Sequence, residues 1–144
     1  MAQAKRKKTG TRLSDTTGIT MLGAATRGQS RRLESFPFHH RENRTRIIFR
    51  CQEFSCLCPV TGQPDYAKID VEYIPSGRAI ESKSFKNYLW SFRNEKAFHE
   101  DIVNKILNDV HDFLKPEAIR VTGYFNVRGG IAIDVVAERG FGKD

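Results

Sequence analysis

Hydrophobic residues recur along the chain with two different spacings, and these spacings predict four strands and two helices. From Tyr66 to Ile74 polar and apolar residues alternate, which is typical of a strand with one buried face. The apolar run in Thr45–Arg50 predicts a strand before it. Two β-branched runs, Ile119–Val127 and Ile131–Ala137, lie on either side of Arg128-Gly129-Gly130 and predict a closing hairpin.

The segments between these strand pairs have helical spacing. Glu81–Phe92 and Glu95–Leu114 carry apolar residues three and four positions apart, and Pro116 ends the second segment. The predicted order is strand, strand, helix, helix, strand, strand. This order predicts an α+β fold, in which an antiparallel four-stranded sheet carries two helices on one face. Such a sheet leaves two edges unpaired, so we expect copies of the chain to associate.

The basic residues are concentrated in the leading part of the chain. Residues 1–46 carry eleven Lys and Arg against three acidic residues, whereas residues 47–144 carry thirteen against fourteen. Residues 1–32 hold few large apolar side chains, so we expect a basic flexible N-terminal arm, followed by a single domain over residues 33–144. The arm leaves a nucleic-acid-binding module open as an alternative. Because the remainder is near neutral, we expect no direct nucleic-acid binding.

Nothing in the pattern predicts a membrane or secreted protein. No apolar run approaches the roughly 18 residues that a membrane helix needs. The basic start of the chain is not followed by an apolar core, so it is not a secretory signal. The cysteines Cys51, Cys56 and Cys58 are odd in number and closely spaced, which favours reduced thiols and a cytoplasmic location.

The segment FSCLCPVTGQPD, Phe54–Asp65, holds the strongest candidate chemistry. Cys58 is followed by Pro59 and by the turn pair Thr61-Gly62, so we expect its thiol on a rigid bend. Asp65 stands seven residues later and could act as a proton donor. A thiol and an acid on one loop are the groups that covalent catalysis needs. The alternative is a buried structural cysteine beside a surface turn.

Two further clusters stand at the starts of the predicted helices. Lys83 and Lys86 share a helix face, where two ammonium groups and the helix amides suit a phosphorylated ligand. His99 is followed by Glu100, whose carboxylate could accept two parallel N–H bonds from a guanidine-like ring edge. The alternatives are a solvated face for the lysines and a helix-start carboxylate for Glu100. No Gly-x-Gly-x-x-Gly follows a strand, so a dinucleotide would bind outside a Rossmann site.

Metal binding is a further alternative. Zn²⁺ favours thiolate and imidazole ligands, and the candidates are Cys51, Cys56, Cys58, His39 and His40. The Cys-x-Cys spacing differs from that of a structural zinc knuckle, and no second pair follows. We therefore expect no metal site.

Taken together, the motifs resemble a known family. FSCLCPVTGQPD, ESKSFKNYLWSF (Glu81–Phe92), FHED (Phe98–Asp101) and Arg128-Gly-Gly occur in this order in the chain. They are similar to the single-module NADPH-dependent 7-cyano-7-deazaguanine reductases, the nitrile reductases of queuosine biosynthesis, from about Leu33 to Val136. The resemblance implies the tunnelling fold, or T-fold. It separates the chain from the GTP cyclohydrolases of that fold, whose zinc-bound Cys and His set is not reproduced here. A pterin- or purine-processing enzyme of this fold without hydride chemistry is the competing hypothesis.

The resemblance implies a mechanism. Cys58 would add as a thiolate to the nitrile carbon and form a covalent thioimide, and Asp65 would protonate the nitrogen. Two hydrides from two NADPH would then give the aminomethyl group of 7-aminomethyl-7-deazaguanine, a precursor in tRNA modification. His99 would position the substrate and the hydride.

The resemblance also implies binding roles and an assembly. The residues expected at the 7-deazaguanine substrate are Ile80, Glu81, Ser82, His99 and Glu100, and Glu100 would hold the pyrimidine edge. The residues expected at the NADPH phosphates are Lys83, Lys86 and Arg128. Similar proteins form homo-oligomers, usually pentamer rings stacked as a decamer, with sites between subunits. Some relatives carry a cysteine at the position of Ile102 that can form a protective disulfide, so we expect no such switch here.

Overall fold

The computed structural model describes residues 14–20 and 31–142. In chain order its elements are β1 (Ser35–Pro37), β2 (Ile47–Leu57), β3 (Pro64–Ile74), β4 (Arg78–Ile80), α1 (Ser82–Trp90), a 3₁₀ helix (Ser91–Asn94), α2 (His99–Leu114), β5 (Ala118–Arg128) and β6 (Ile131–Arg139). The long elements follow the predicted order, and the predicted α+β class is confirmed. None of the helices in these ranges is both long and apolar enough to cross a membrane. The cytoplasmic location stays a prediction.

The four long strands form one antiparallel sheet in the order β2-β3-β5-β6. Along β3 the buried Ile69, Val71 and Tyr73 alternate with the more exposed Asp70 and Glu72, as the sequence pattern predicted. The buried side chains join those of α1 and α2 in a single hydrophobic core. Both helices therefore cover the same face of the sheet.

β2 is longer than the pattern predicted. The predicted strand ended at Arg50, but β2 continues to Leu57 and brings Phe54 and Cys56 into the sheet. Its register against β3 shifts between Cys51 and Phe54, where a bulge adds a residue and breaks the alternation of polar and apolar positions. The strands β1 and β4 form a separate two-stranded sheet, and at three residues each they are too short to show a period.

Only part of the predicted N-terminal arm, residues 1–32, is among the described residues. In that part, Thr20 donates its N–H to the Glu34 carboxylate at 2.9 Å, and its hydroxyl contacts the same carboxylate. His39 Nε2 lies 3.1 Å from Asp15 Oδ2. These contacts attach residues 14–20 to the domain. The boundary near residue 33 stays a prediction, and the rest of the arm lies outside the described residues.

Gly123 marks a close approach between the sheet and α2. A Cβ at this position would lie 2.7 Å from Phe125 Cε2 and 2.8 Å from Val103 Cγ2, both inside the core. We expect Gly123→Ala to lower the free energy of unfolding by about 1–3 kcal/mol, because neither neighbour can move without disturbing the packing. Urea-induced unfolding, followed by the fluorescence of the single tryptophan Trp90, measures the change.

Gly77→Ala is the matched control. There the nearest atom is a guanidinium nitrogen of Arg41 at 3.0 Å, at the end of a flexible side chain. We expect this variant to differ from the original by no more than about 0.5 kcal/mol. Equal losses in the two variants would show that close packing is not what excludes a side chain at Gly123.

Candidate active site

The thiol of Cys58 is presented by the loop between β2 and β3. Two backbone hydrogen bonds close this loop, from Cys58 N–H to Gln63 O at 2.8 Å and from Gly62 N–H to Cys58 O at 2.9 Å. Gly62 has a φ of 70°, at which a residue with a side chain would be strained. The predicted turn is therefore present at Thr61-Gly62. Cys58 lies outside the sheet and is partly exposed, whereas Cys56 is buried.

The same loop lowers the pKa of Cys58. Hydrogen bonds from the Thr61 hydroxyl and from the N–H groups of Thr61 and Val60 lower this pKa to about 7, and Thr61 N lies 3.5 Å from the sulfur. Burial raises the pKa of Cys56 to about 11, and burial also raises the pKa of Cys51. Of the three thiols, Cys58 therefore has the largest thiolate fraction near neutral pH.

Asp65 stands at the start of β3, where the strand register pairs it with Cys56, and its side chain is only 4% exposed. Its Oδ1 accepts a hydrogen bond from Arg128 Nη1, and its Oδ2 lies 3.3 Å from His99 Nε2. The charge of Asp65 raises the pKa of Cys58, against the larger lowering by the loop's hydrogen bonds. Three elements, β3, β5 and α2, thus meet in one polar cluster at the end of the sheet where the Cys58 loop lies.

α2 begins beside this cluster because the segment before it is tied to the end of β2. Leu57 donates its N–H to Glu95 O at 2.8 Å, and its carbonyl accepts the N–H of Ala97 at 3.1 Å. His99 then starts α2, and its ring stacks on Phe125 with centroids 3.8 Å apart and an interplanar angle of 6°. This stacking holds the plane of the imidazole next to Asp65.

Asp65, His99 and Arg128 border a cavity of about 260 Å³ at this end of the sheet. Its lining includes Asp65, Tyr66, His99, Asn126 and Arg128. Glu100 is exposed in the first turn of α2, next to His99. The structure therefore brings together two of the predicted catalytic residues, Asp65 and His99, and it adds Arg128, which the resemblance had assigned to the cofactor. Cys58 does not line this cavity, but its N–H bonds to the carbonyl of Gln63, which does.

The predicted substrate residues Ile80, Glu81 and Ser82 lie at the opposite end of the sheet. Ile80 donates its N–H to the hydroxyl of Tyr73 at 2.9 Å. Tyr73 and Asp65 are eight residues apart on β3, which at about 3.3 Å per residue is roughly 25 Å. Within one chain, Ile80–Ser82 and the Cys58 cluster do not form a single site.

Glu81 caps α1. Its Oε1 accepts the N–H of Lys83 at 2.8 Å, its Oε2 accepts the N–H of Ser84 at 2.7 Å, and its side chain is buried. Two backbone donors thus hold the carboxylate at the start of the helix. The contact of Glu81 with a substrate stays a prediction.

A larger cavity, of about 570 Å³, lies between β2 and α1. Its polar lining includes Arg50, Glu53, Ser82, Lys83, Lys86, Asn87 and Arg93. Four cations against one carboxylate suit an anionic ligand. Asn87 was not singled out from the sequence, and its buried Nδ2 has no hydrogen-bond partner in the described part of the chain. Arg128 does not line this cavity, so the three predicted cofactor residues are divided between two cavities.

The geometry does not support the zinc alternative. Across residues 14–20 and 31–142, no three His, Cys, Asp or Glu side chains are grouped so that they could hold a metal ion. His39 is paired with Asp15, and His40 is paired with Glu42.

An antiparallel α+β domain with a low-pKa thiol, a buried carboxylate and an imidazole at one end of its sheet has the features of an enzyme. A family model described as QueF-like protein matches residues 64–143. The NADPH-dependent 7-cyano-7-deazaguanine reductase of Syntrophus aciditrophicus is 48% identical over 86% of this chain and 88% of its own. The reductases of the same name from Bacteroides thetaiotaomicron and Nitrosomonas europaea are 52% and 50% identical, over 75% and 76% of this chain and 72% and 78% of theirs.

Among solved structures, the archaeosine synthase QueF-Like in the apo form matches with a TM-score of 0.59 and 29% identity, over 67% of this chain and 92% of its own. The chain belongs to the family of NADPH-dependent 7-cyano-7-deazaguanine reductases. The family and the tunnelling fold predicted from the motifs are thereby confirmed, and with them the class, an NADPH-dependent oxidoreductase.

Thr61→Val removes the hydroxyl that lowers the pKa of Cys58 while it keeps the shape of the side chain. We expect the pKa to rise from about 7 toward the ordinary thiol value of 9.0. Because alkylation requires the thiolate, labelling by iodoacetamide should then need a higher pH, and at pH 7 it should slow by roughly several-fold. The rate of labelling against pH, located on Cys58 by mass spectrometry, gives the pKa of each variant.

Val60→Ala is the control, because it keeps the backbone N–H and changes an exposed side chain. Its labelling midpoint should stay where it is in the original protein. A midpoint that also stays unchanged in Thr61→Val would show that the backbone N–H groups alone lower the pKa of Cys58.

Proposed function

We propose that this chain reduces the nitrile of 7-cyano-7-deazaguanine to the aminomethyl group of 7-aminomethyl-7-deazaguanine, with two NADPH, in queuosine biosynthesis. The observation that carries this proposal is the partly exposed Cys58 thiol, with a pKa of about 7, on the loop that leads into the strand of the buried Asp65. Relatives named for this substrate and cofactor, 48% and 52% identical over most of the chain, support both.

The first chemical step forms a covalent thioimide. A nitrile carbon is a weak electrophile, and bonding to sulfur turns it into a more reducible C=N group. Asp65 takes the thiol proton of Cys58, the sulfur bonds to the nitrile carbon as one C–N π bond breaks, and Asp65 returns the proton to the nitrogen. The net change is addition of S–H across the C≡N bond, so no external acid is consumed.

Reduction then releases the product. When bound, NADPH supplies one hydride in each of two successive reductions. Cys58 leaves as a thiolate after the first reduction, and its lowered pKa favours this departure. Each hydride is matched by one proton taken from solvent, so that the thioimide becomes the amine and the Cys58 thiol is restored. His99, held flat against Phe125, orients the substrate ring, and the exposed carboxylate of Glu100 accepts the paired N–H groups of the pyrimidine edge.

The larger cavity fits a phosphorylated dinucleotide by the chemistry of its lining. Lys83 and Lys86 would hold the phosphates through charge-assisted hydrogen bonds, with Arg93 adding positive potential, while the charge of Arg50 is offset by Asp70 at 3.0 Å.

We further propose that a working site needs two copies of the chain. Ile80 contacts Tyr73, which lies roughly 25 Å from Asp65 along β3, so one substrate can reach both groups only if a second copy supplies one of them. β2 and β6 are unpaired edges among the described strands and can join copies. Exposed apolar side chains near the Cys58 end favour further burial there: Val60, Tyr66, Phe98, Val127 and Ile131. The resemblance favours pentamer rings stacked as a decamer.

Incubation with NADPH and 7-cyano-7-deazaguanine tests the proposed reaction. The protein should consume two NADPH for each nitrile, measured by the loss of NADPH absorbance and by the mass of the amine. Without NADPH, intact mass should show an adduct of the full substrate mass, located on Cys58. Cys58→Ala should show neither result, because no thioimide can form.

Cys56→Ala is the matched control, since it removes a buried thiol two residues away and should keep both activities. Substrate turnover that is indifferent to NADPH would contradict the proposal. It would support instead a pterin- or purine-processing enzyme of the same fold.

Mixed oligomers test the two-copy site. Two variant chains, Cys58→Ala and Glu81→Gln, are each expected to be inactive alone. They are coexpressed, and the oligomers that contain both are purified through two different tags. The amide introduced by Glu81→Gln keeps one acceptor for the helix cap and removes the charge. If each site combines Cys58 of one copy with Glu81 of another, about a quarter of the sites in a random mixture have both groups intact. Activity no higher than the sum of the two parents would place both groups in one chain.

A further inference from the structure

Arg128 has a different partner from the one that the resemblance implied. Its Nη1 donates to Oδ1 of Asp65, while His99 Nε2 lies 3.3 Å from the other carboxylate oxygen. The Asp65 side chain is 4% exposed and the Arg128 side chain 46%. A buried carboxylate with a separate partner on each oxygen is held in one orientation.

The β5–β6 hairpin places Arg128 at this carboxylate. The register of the hairpin shifts between Phe125 and Arg128, and Gly129 and Gly130 follow with φ of 57° and 79°. Such an irregularity re-aims the side chains beside it. Here the side chain of Arg128 contacts the start of the neighbouring strand β3 instead of the cavity that Lys83 and Lys86 line.

We propose that Arg128 is a positioning residue for Asp65 during formation of the thioimide. This inference rests on the proposed function and deepens it. By holding Oδ1, Arg128 fixes the carboxylate relative to the Cys58 sulfur and to the incoming nitrile nitrogen. The proton passes from the thiol to Asp65 and then to the nitrogen, while the S–C bond forms and one C–N π bond breaks. Arg128 neither gains nor loses a proton in this step.

Adduct formation without NADPH separates this role from a role in cofactor binding. The measurement is the rate of the mass increase on Cys58 after 7-cyano-7-deazaguanine is added. We expect Arg128→Gln to be slower by about tenfold or more, because a misplaced proton donor costs rate even when the chemistry is intact. Arg128→Lys should recover part of the rate, because it keeps the charge and loses the planar geometry of the guanidinium. Arg44→Gln, which changes an exposed arginine before β2, should react at the original rate.

A double-mutant cycle tests whether Arg128 acts through Asp65. In an Asp65→Asn background, Arg128→Gln should cause no further loss of adduct rate, because the residue it positions is already disabled. A full additional tenfold loss in that background would overturn the proposal. An original adduct rate in Arg128→Gln, with only a raised KM for NADPH, would also overturn it, since Arg128 would then serve the cofactor alone.

Thermal unfolding identifies the variants that are folded and can be compared. If Arg128→Gln does not fold, the adduct rate of Arg128→Lys is the test. A rate equal to that of the original protein would overturn the proposal. Absence of an adduct in the original protein is a different result, because it refutes the proposed nitrile chemistry itself and this inference with it.

Discussion

The backbone of Leu57 joins the end of β2 to the segment that leads into α2, and the candidate site depends on this link. Its N–H and its carbonyl bond to Glu95 and Ala97 in a short parallel bridge. Because Cys58 follows Leu57 directly and His99 follows Ala97 by two residues, the bridge fixes the thiol loop against the start of α2. A reactive constellation needs this kind of support, since its groups must keep a narrow range of distances while the substrate enters.

The groups around the Cys58 sulfur determine how readily this thiol ionises. The pKa of Cys58 is lowered by neutral donors, first by the Thr61 hydroxyl, and the charge of Asp65 acts in the opposite direction. Two anions so close to each other would repel, and the guanidinium of Arg128 offsets the charge of the carboxylate. The Asp65–Arg128 pair therefore opposes ionisation of the Cys58 thiol less than an unpaired carboxylate would. In this arrangement Arg128 acts directly on Asp65 and affects the Cys58 sulfur only through Asp65.

The features that were predictable from the sequence are those with a local signature. β3 and α2 have clear periods, and Cys58 and Asp65 are only seven residues apart, at a turn and at the start of the strand that follows it, so both the elements and these two candidate residues could be predicted. The extension of β2 was missed because its bulge interrupts the alternation. The contact between Arg128 and Asp65 joins residues 63 apart through the register of two strands and a hairpin irregularity, for which the sequence carries no signal. Asn87 was missed because a polar residue in a helix is ordinarily solvated.

The separation of the two residue groups constrains how copies can be arranged. If β2 of one copy paired with β6 of the next along its whole length, the Cys58 ends of the two sheets would lie side by side. Ile80–Ser82 of each copy would then stay far from Cys58 of the other. A closed ring, the arrangement proposed above, does not pair sheets in that way, because strands in a barrel tilt by roughly 35–45° and stagger their register. Four strands at about 4.8 Å spacing are roughly 19 Å wide, so a 40° tilt offsets each copy by about 16 Å along the strands. That offset covers most of the roughly 25 Å between the groups, and a side chain and a ligand can span what remains. Ring closure would thus bring opposite ends of neighbouring sheets together.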